Sequence, residues 1–150
     1  MADHSDVRRG RLRIAAIVGA VFVPVAFCAV TNGISGWKRL MQAHTKARMR
    51  ELGSAIERYA ADFKYYPSKT DDLAPTYTTA RGWNDEWGKP LRYECWQIDP
   101  KARGCDHYAI ASAGADGKFD PEPLRKVSEG LLRNADEDIV YRDGNFVRYP

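Results

Sequence analysis

The alternation of apolar and polar positions divides this 150-residue chain into an uncharged stretch, an amphipathic helix and a set of short alternating runs. Residues 14–37 contain no Asp, Glu, Lys or Arg. About 20 such residues suffice to cross the hydrocarbon core of a bilayer. Arg11 and Arg13 bound the stretch on one side, and Trp37, Lys38 and Arg39 on the other, as interfacial anchors do. The pattern predicts a transmembrane helix over 14–37, bent where Pro24 removes a backbone donor. A cleaved secretory signal ending near Thr31-Asn32-Gly33 is the competing reading, but no break in helical character follows it.

Past Trp37 the helix is expected to continue to about Lys64. Met49, Leu52, Ile56, Tyr59 and Phe63 recur at helical spacing and form one stripe, with Lys46, Arg50, Glu57 and Lys64 opposite. Pro67 closes it, and Ser68 is placed to cap a short helix through Asp71, Asp72 and Leu73. Residues 91–96 and 107–112 read as strands. The runs Ile139–Arg142 and Asn145–Tyr149 flank Asp143-Gly144, a strong hairpin signal. Residues 123–133 read as a short amphipathic helix with Leu124, Val127, Leu131 and Leu132 inward. The fold class is therefore α+β: a long N-terminal helix, transmembrane then amphipathic, packed on a small antiparallel sheet of about four strands. The organisation is a basic tail (1–13), a transmembrane helix (14–37), and a helical stem with an α+β domain (38–150).

Charge refines this picture. Residues 38–64 carry seven Lys and Arg against three acids, whereas 65–150 carry twelve against fifteen. A basic stem beside a mildly acidic domain suits anionic headgroups, and no aromatic-rich nucleic-acid motif accompanies it. Basic residues on both sides of the span leave the positive-inside rule nearly balanced. The short N-terminal tail and the Cys95/Cys105 pair favour an N-terminus inside and the domain outside. Of three cysteines, Cys28 lies in the apolar stretch, while Cys95 and Cys105 stand ten apart in the distal domain. Without CxxC spacing or a histidine cluster they suggest a disulfide in an oxidising compartment, or else two free thiols.

Catalytic patterns are lacking. His4, His44 and His107 are scattered, with no HExxH, GxSxG, P-loop or glycine-rich dinucleotide turn. His107 beside Asp106 reads as a surface pair or a strand-edge residue rather than a base. Trp83 and Trp87 read as plugs between the sheet and the long helix, or alternatively as the lining of a ligand groove.

Four segments together resemble the pilin-like proteins, most closely the major pseudopilins of type II secretion. They are the helix end Ala55–Pro67, the turn Asp85-Glu86-Trp87-Gly88 leading into residues 89–93, the strand and loop Tyr108–Gly117, and Asp136-Glu137-Asp138-Ile139. The resemblance implies a structural, non-enzymatic subunit anchored once in the bacterial inner membrane. Its N-terminus would be cytoplasmic and its domain periplasmic. Its partners would be the membrane and other pilin-like subunits or a secretion or pilus assembly platform, with no nucleic acid. It also implies a calcium site, whose matching residues here are Asp116 and Asp138 with Asp136 adjacent. Turn-forming aspartates are the plainer alternative. Two features depart from the family. Gly10 is followed by Arg11-Leu12-Arg13-Ile14-Ala15 where the family has Phe-Thr-Leu-Ile-Glu, so cleavage after Gly10 is not expected. Residues 119–135 replace a shorter loop. The first departure supports an alternative: an uncleaved anchored domain that uses this fold to bind a protein partner or small ligand.

Overall fold

A computed structural model describes residues 36–79 and 83–150. The transmembrane prediction, Gly10, Ala15 and Cys28 lie outside the described residues, Gly36 and Trp37 excepted. Among the described residues no helix is long and apolar enough to cross a membrane.

The amphipathic stripe forms helix α1 over 36–63. Met49, Leu52 and Ile56 are fully buried, as the spacing requires, while Phe63 at the far end is largely exposed. Removing one of these core side chains, as in Leu52→Ala, costs about 2–5 kcal/mol. The helix stops before Pro67 because Lys64 turns to φ 68°, with its amide bonded to Ala60 O at 2.8 Å. This is a left-handed C-terminal cap made without glycine. The short helix after Ser68 is a 3-10 turn, Thr70–Leu73, flanked by Lys69 rather than Ser68.

Five strands follow: β1 (Arg92–Trp96), β2 (His107–Ser112), β3 (Gly130–Leu131), β4 (Ile139–Arg142) and β5 (Asn145–Tyr149). Their order in the sheet is β1-β2-β4-β5-β3. All pairs are antiparallel except β3 with β5. The Asp143-Gly144 hairpin forms as expected, with φ 47° and 86° at the two turn residues. Asp143 Oδ1 also accepts the Tyr108 amide at 2.9 Å, tying the turn to β2.

Period-two alternation gives the sheet two buried faces. Tyr108, Ile110, Ile139 and Tyr141 meet Met49, Leu52 and Ile56 of α1, and Trp83 completes this cluster. Ala109, Ala111, Val140 and Val147 face the other way, onto Leu124 and Val127. The predicted helix over 123–133 is corrected here: only Leu124–Lys126 forms a 3-10 turn. Arg142 Nη1 instead donates to the Arg125 and Val127 carbonyls at 3.3 and 3.1 Å, and Gly130 and Leu131 pair with β5 rather than continuing a helix. The segment runs as a strap across the sheet. Leu124 and Val127 point inward as expected, but Leu131 enters β3 and is 72% exposed.

Candidate functional site

The Cys95–Cys105 disulfide closes the loop between β1 and β2, with Cα atoms 5.7 Å apart. Within the loop, Asp106 accepts the Ile98 and Asp99 amides at 2.7 and 2.6 Å, and Gln97 Nε2 donates to the Asp99 and Ala102 carbonyls. The two amide bonds hold the Asp106 carboxyl below its usual range, the Asp99 amide acting most strongly. The disulfide also reaches the end of α1, because Tyr66 N donates to Cys105 O at 2.8 Å. His107 is paired with Asp143, its Nδ1 lying 2.9 Å from Asp143 Oδ2, and it stacks on Trp96.

The Asp85–Gly88 turn is organised by one buried carboxylate. Asp85, 4% exposed, accepts the Trp87 and Lys89 amides on Oδ1 at 3.1 and 2.8 Å, and the Ser112 hydroxyl on Oδ2 at 2.8 Å. Glu86 docks this turn on α1 through its amide to Thr45 Oγ1 and its carboxylate to Arg48 Nε at 2.6 Å. Both partners of the Ser112–Asp85 bond are thus engaged in the turn. His107 sits at the opposite end of β2, about 17 Å along the strand from Ser112.

The two loops bearing the sequence-predicted metal ligands lie against each other. Ala115 N donates to Ala135 O at 2.8 Å. A Cβ on Gly114 would come within 2.8 Å of the Ala135 and Glu137 carbonyl oxygens, so the loops could not approach this closely with any other residue there. Asp138 is 3% exposed; its Oδ2 accepts the Asp120 amide at 3.0 Å, and its Oδ1 is buried with no hydrogen-bond partner. Burial pushes the Asp138 carboxyl up to about 6; the Asp120 and Asp116 charges add to this, while the Asp120 amide and Arg148 oppose it. Asp116 lies exposed on the neighbouring loop and accepts the Lys118 amide at 2.9 Å. Asp136 faces elsewhere and pairs with Lys38 Nζ at 3.3 Å. Among the described residues, no three His, Cys, Asp or Glu side chains gather closely enough to hold a metal ion. The donor set thus fits calcium in part: Asp138 offers a buried oxygen in want of a partner, Asp116 is near enough to act on it electrostatically, and Asp136 is engaged by Lys38.

Two participants escape a sequence-only reading. Arg148 on β5 reaches Asp120 Oδ2 at 2.9 Å and Glu137 Oε2 at 3.8 Å. Glu57, exposed on α1, lies beside Tyr66, Tyr108 and Tyr141, and the Tyr108 hydroxyl is buried. An open cleft of about 300 Å³ between α1 and residues 75–79 includes Glu51, Arg58 and Tyr77 in its lining. Arg58 is committed there to the Tyr77 and Ser54 carbonyls.

The chain matches no protein-family model and no curated protein.

Proposed function

We propose that this chain is a membrane-anchored, pilin-like structural or assembly protein, a divergent pseudopilin subunit of a type II secretion or type IV pilus-like system. The observation that carries the reading is the continuity of an uncharged 24-residue stretch (14–37) with a helix that buries one stripe on a small, mostly antiparallel, disulfide-bearing sheet. The buried Asp85 carboxylate and Ser112 hydroxyl are spent on tying a turn to the core, which supports a structural role over catalysis. The disulfide supports an extracytoplasmic domain. A reporter active only after export, fused after Pro150, is expected to be active in membrane fractions. Activity confined to a cytoplasmic reporter contradicts the reading.

The same reading places a calcium ion between the two loops, taken up by Asp138 and Asp116. Bound there, the ion would supply positive charge to the Asp138 oxygen that lacks a partner and pin the hairpin β4–β5 to the loop after β2. A second reading, an uncleaved anchored domain that binds a protein partner or small ligand, is favoured by one observation: Ala15 stands where the family has glutamate.

A further inference from the structure

Two cations of α1 converge on one aromatic ring. Lys46 Nζ lies 5.2 Å from the centre of the Phe146 ring, and Arg50 Cζ lies 5.0 Å from it. Lys46 Nζ is also 5.5 Å from the Tyr149 ring, so two cations and two aromatics form one surface between α1 and β5. Tyr149 pairs in the sheet with Leu131 of β3, and both residues are exposed. Other cations of α1 are engaged differently: Lys38 meets Asp136, Arg48 meets Glu86, and Arg58 meets two backbone carbonyls. Among the described residues, Lys46 and Arg50 have no ion-pair partner. A ring face attracts a cation but leaves its charge uncompensated. Two like charges held over one ring therefore present a positive field to solvent. Arginine and aromatic side chains are also those that protein interfaces favour.

We propose that this surface binds an extended acidic segment of a partner protein, with carboxylates on Lys46 and Arg50 and apolar side chains on Tyr149 and Leu131. Spacing selects the extended form. Lys46 and Arg50 stand one helical turn apart, about 5–6 Å, and alternate residues of an extended chain present their side chains about 6.6 Å apart on one side. The Arg50 fork matches both oxygens of a carboxylate, and the Lys46 ammonium meets the next one as a point charge. The choice of a protein over a lipid headgroup rests on the reading of residues 14–37 as a membrane span. Lys46 is nine residues beyond Trp37, which sets it about 13 Å along the helix from the end of that span. Headgroup charge is screened within about 8–10 Å at physiological salt, so the patch stands above its reach.

The test is binding of a fluorescein-labelled octaglutamate peptide to the full-length chain in nonionic detergent, read by fluorescence anisotropy. The wild type should bind it, and both Arg50→Gln and the double variant Lys46→Gln/Arg50→Gln should bind about tenfold or more weakly. Arg48→Gln removes the same charge two residues away, from a side chain already paired with Glu86, and should change the affinity by no more than about twofold. Melting temperatures show which variants fold, and if the double variant does not, the comparison of Arg50→Gln with Arg48→Gln decides. Equal losses in those two overturn the proposal, because net charge alone then sets the affinity. A wild type that leaves the peptide free also overturns it. Mixed micelles containing phosphatidylglycerol supply the lipid arm. Capture of that lipid in place of the peptide, lost in the same variants, overturns the protein partner and assigns the surface to the membrane. A chain that stays soluble without detergent contradicts the anchor instead, and peptide binding is then read in buffer.

Discussion

The Ser112 hydroxyl donates to Asp85 Oδ2 at 2.8 Å, joining two motif segments 27 residues apart into one buried unit. Asp85 spends its other oxygen on the Trp87 and Lys89 amides. A single carboxylate therefore shapes the turn, and the hydroxyl at the end of β2 fixes where the turn sits. The Gly114 amide in turn donates to Ser112 Oγ at 3.3 Å, which carries the connection to the Asp116 loop.

Removing this carboxylate strands three donors at once. Asp85→Ala should cost about 3 kcal/mol or more, and Ser112→Ala about 2 kcal/mol, because an unsatisfied buried group costs more than the bond itself contributes. The double variant should lose less than the sum, since both changes break one contact. Denaturant titration of the four chains measures the coupling, and strict additivity would contradict the account.

Gly53 exerts an opposite kind of control, through absence. A Cβ at that position would lie 2.5 Å from Tyr141 Cε1, inside the packed face of the sheet. In an exposed helix interior, Gly→Ala is worth about 1 kcal/mol in favour of the folded state. Here Gly53→Ala should instead destabilise by about 1–3 kcal/mol through overpacking. Ser54→Ala, on the exposed neighbouring position, is the control expected to be neutral or stabilising. A stabilised Gly53→Ala chain would show that α1 stands further from β4 than described.

The hairpin, the strand β2 and the buried stripe of α1 were legible in the sequence because each rests on local chemistry. Asp143-Gly144 supplies two positive-φ residues, and Met49, Leu52 and Ile56 keep helical spacing. The 123–133 segment was misread because Leu124, Val127, Leu131 and Leu132 mimic a helical stripe, while the partner that decides their conformation, β5, lies in later sequence. The aspartate loops were partly legible. Asp116 and Asp138 do belong to adjoining loops, but the Lys38 partner of Asp136 lies 98 residues away and the Arg148 partner of Asp120 lies 28 away. No local pattern encodes such pairs, because they depend on which strands become neighbours.

Reduction of the Cys95–Cys105 bond should lower stability by about 2–3 kcal/mol, the amount expected from closing a loop of this size in the unfolded chain. Because Tyr66 is bonded to Cys105 O, hydrogen exchange should quicken at Tyr66 as well as within residues 97–104. Exchange that rises only inside the loop would mean that the disulfide does not brace the end of α1.

Alkaline pH should unfold the domain, and the sign follows from its tyrosines. Burial first, then the Glu57 charge, pushes Tyr66 up to about 12, and burial likewise raises Tyr93, Tyr108, Tyr59 and Tyr141. The Asp62 hydrogen bond, at 2.6 Å, raises Tyr77 to about 12. An acid whose folded value exceeds its unfolded value of about 10 loses its proton first in the unfolded chain. Stability should therefore fall as pH rises from about 10 to about 12. Absorbance titration of phenolate should show these tyrosines ionising late and together with unfolding. Early, noncooperative ionisation of the full set would contradict the packing between α1 and the sheet.

The central claim, a membrane-anchored, pilin-like subunit, is tested most directly by photo-crosslinking in intact membranes from position 40. Leu40 is 47% exposed on α1, next to the predicted span, and is free of the core that the stripe builds. With a photoreactive residue in place of Leu40, the account predicts covalent adducts between copies of this chain or with another single-span subunit, recovered in the membrane fraction. The same residue placed at Glu129 on the strap should give none. A chain that stays monomeric from position 40, or that fractionates away from the membrane, would contradict it.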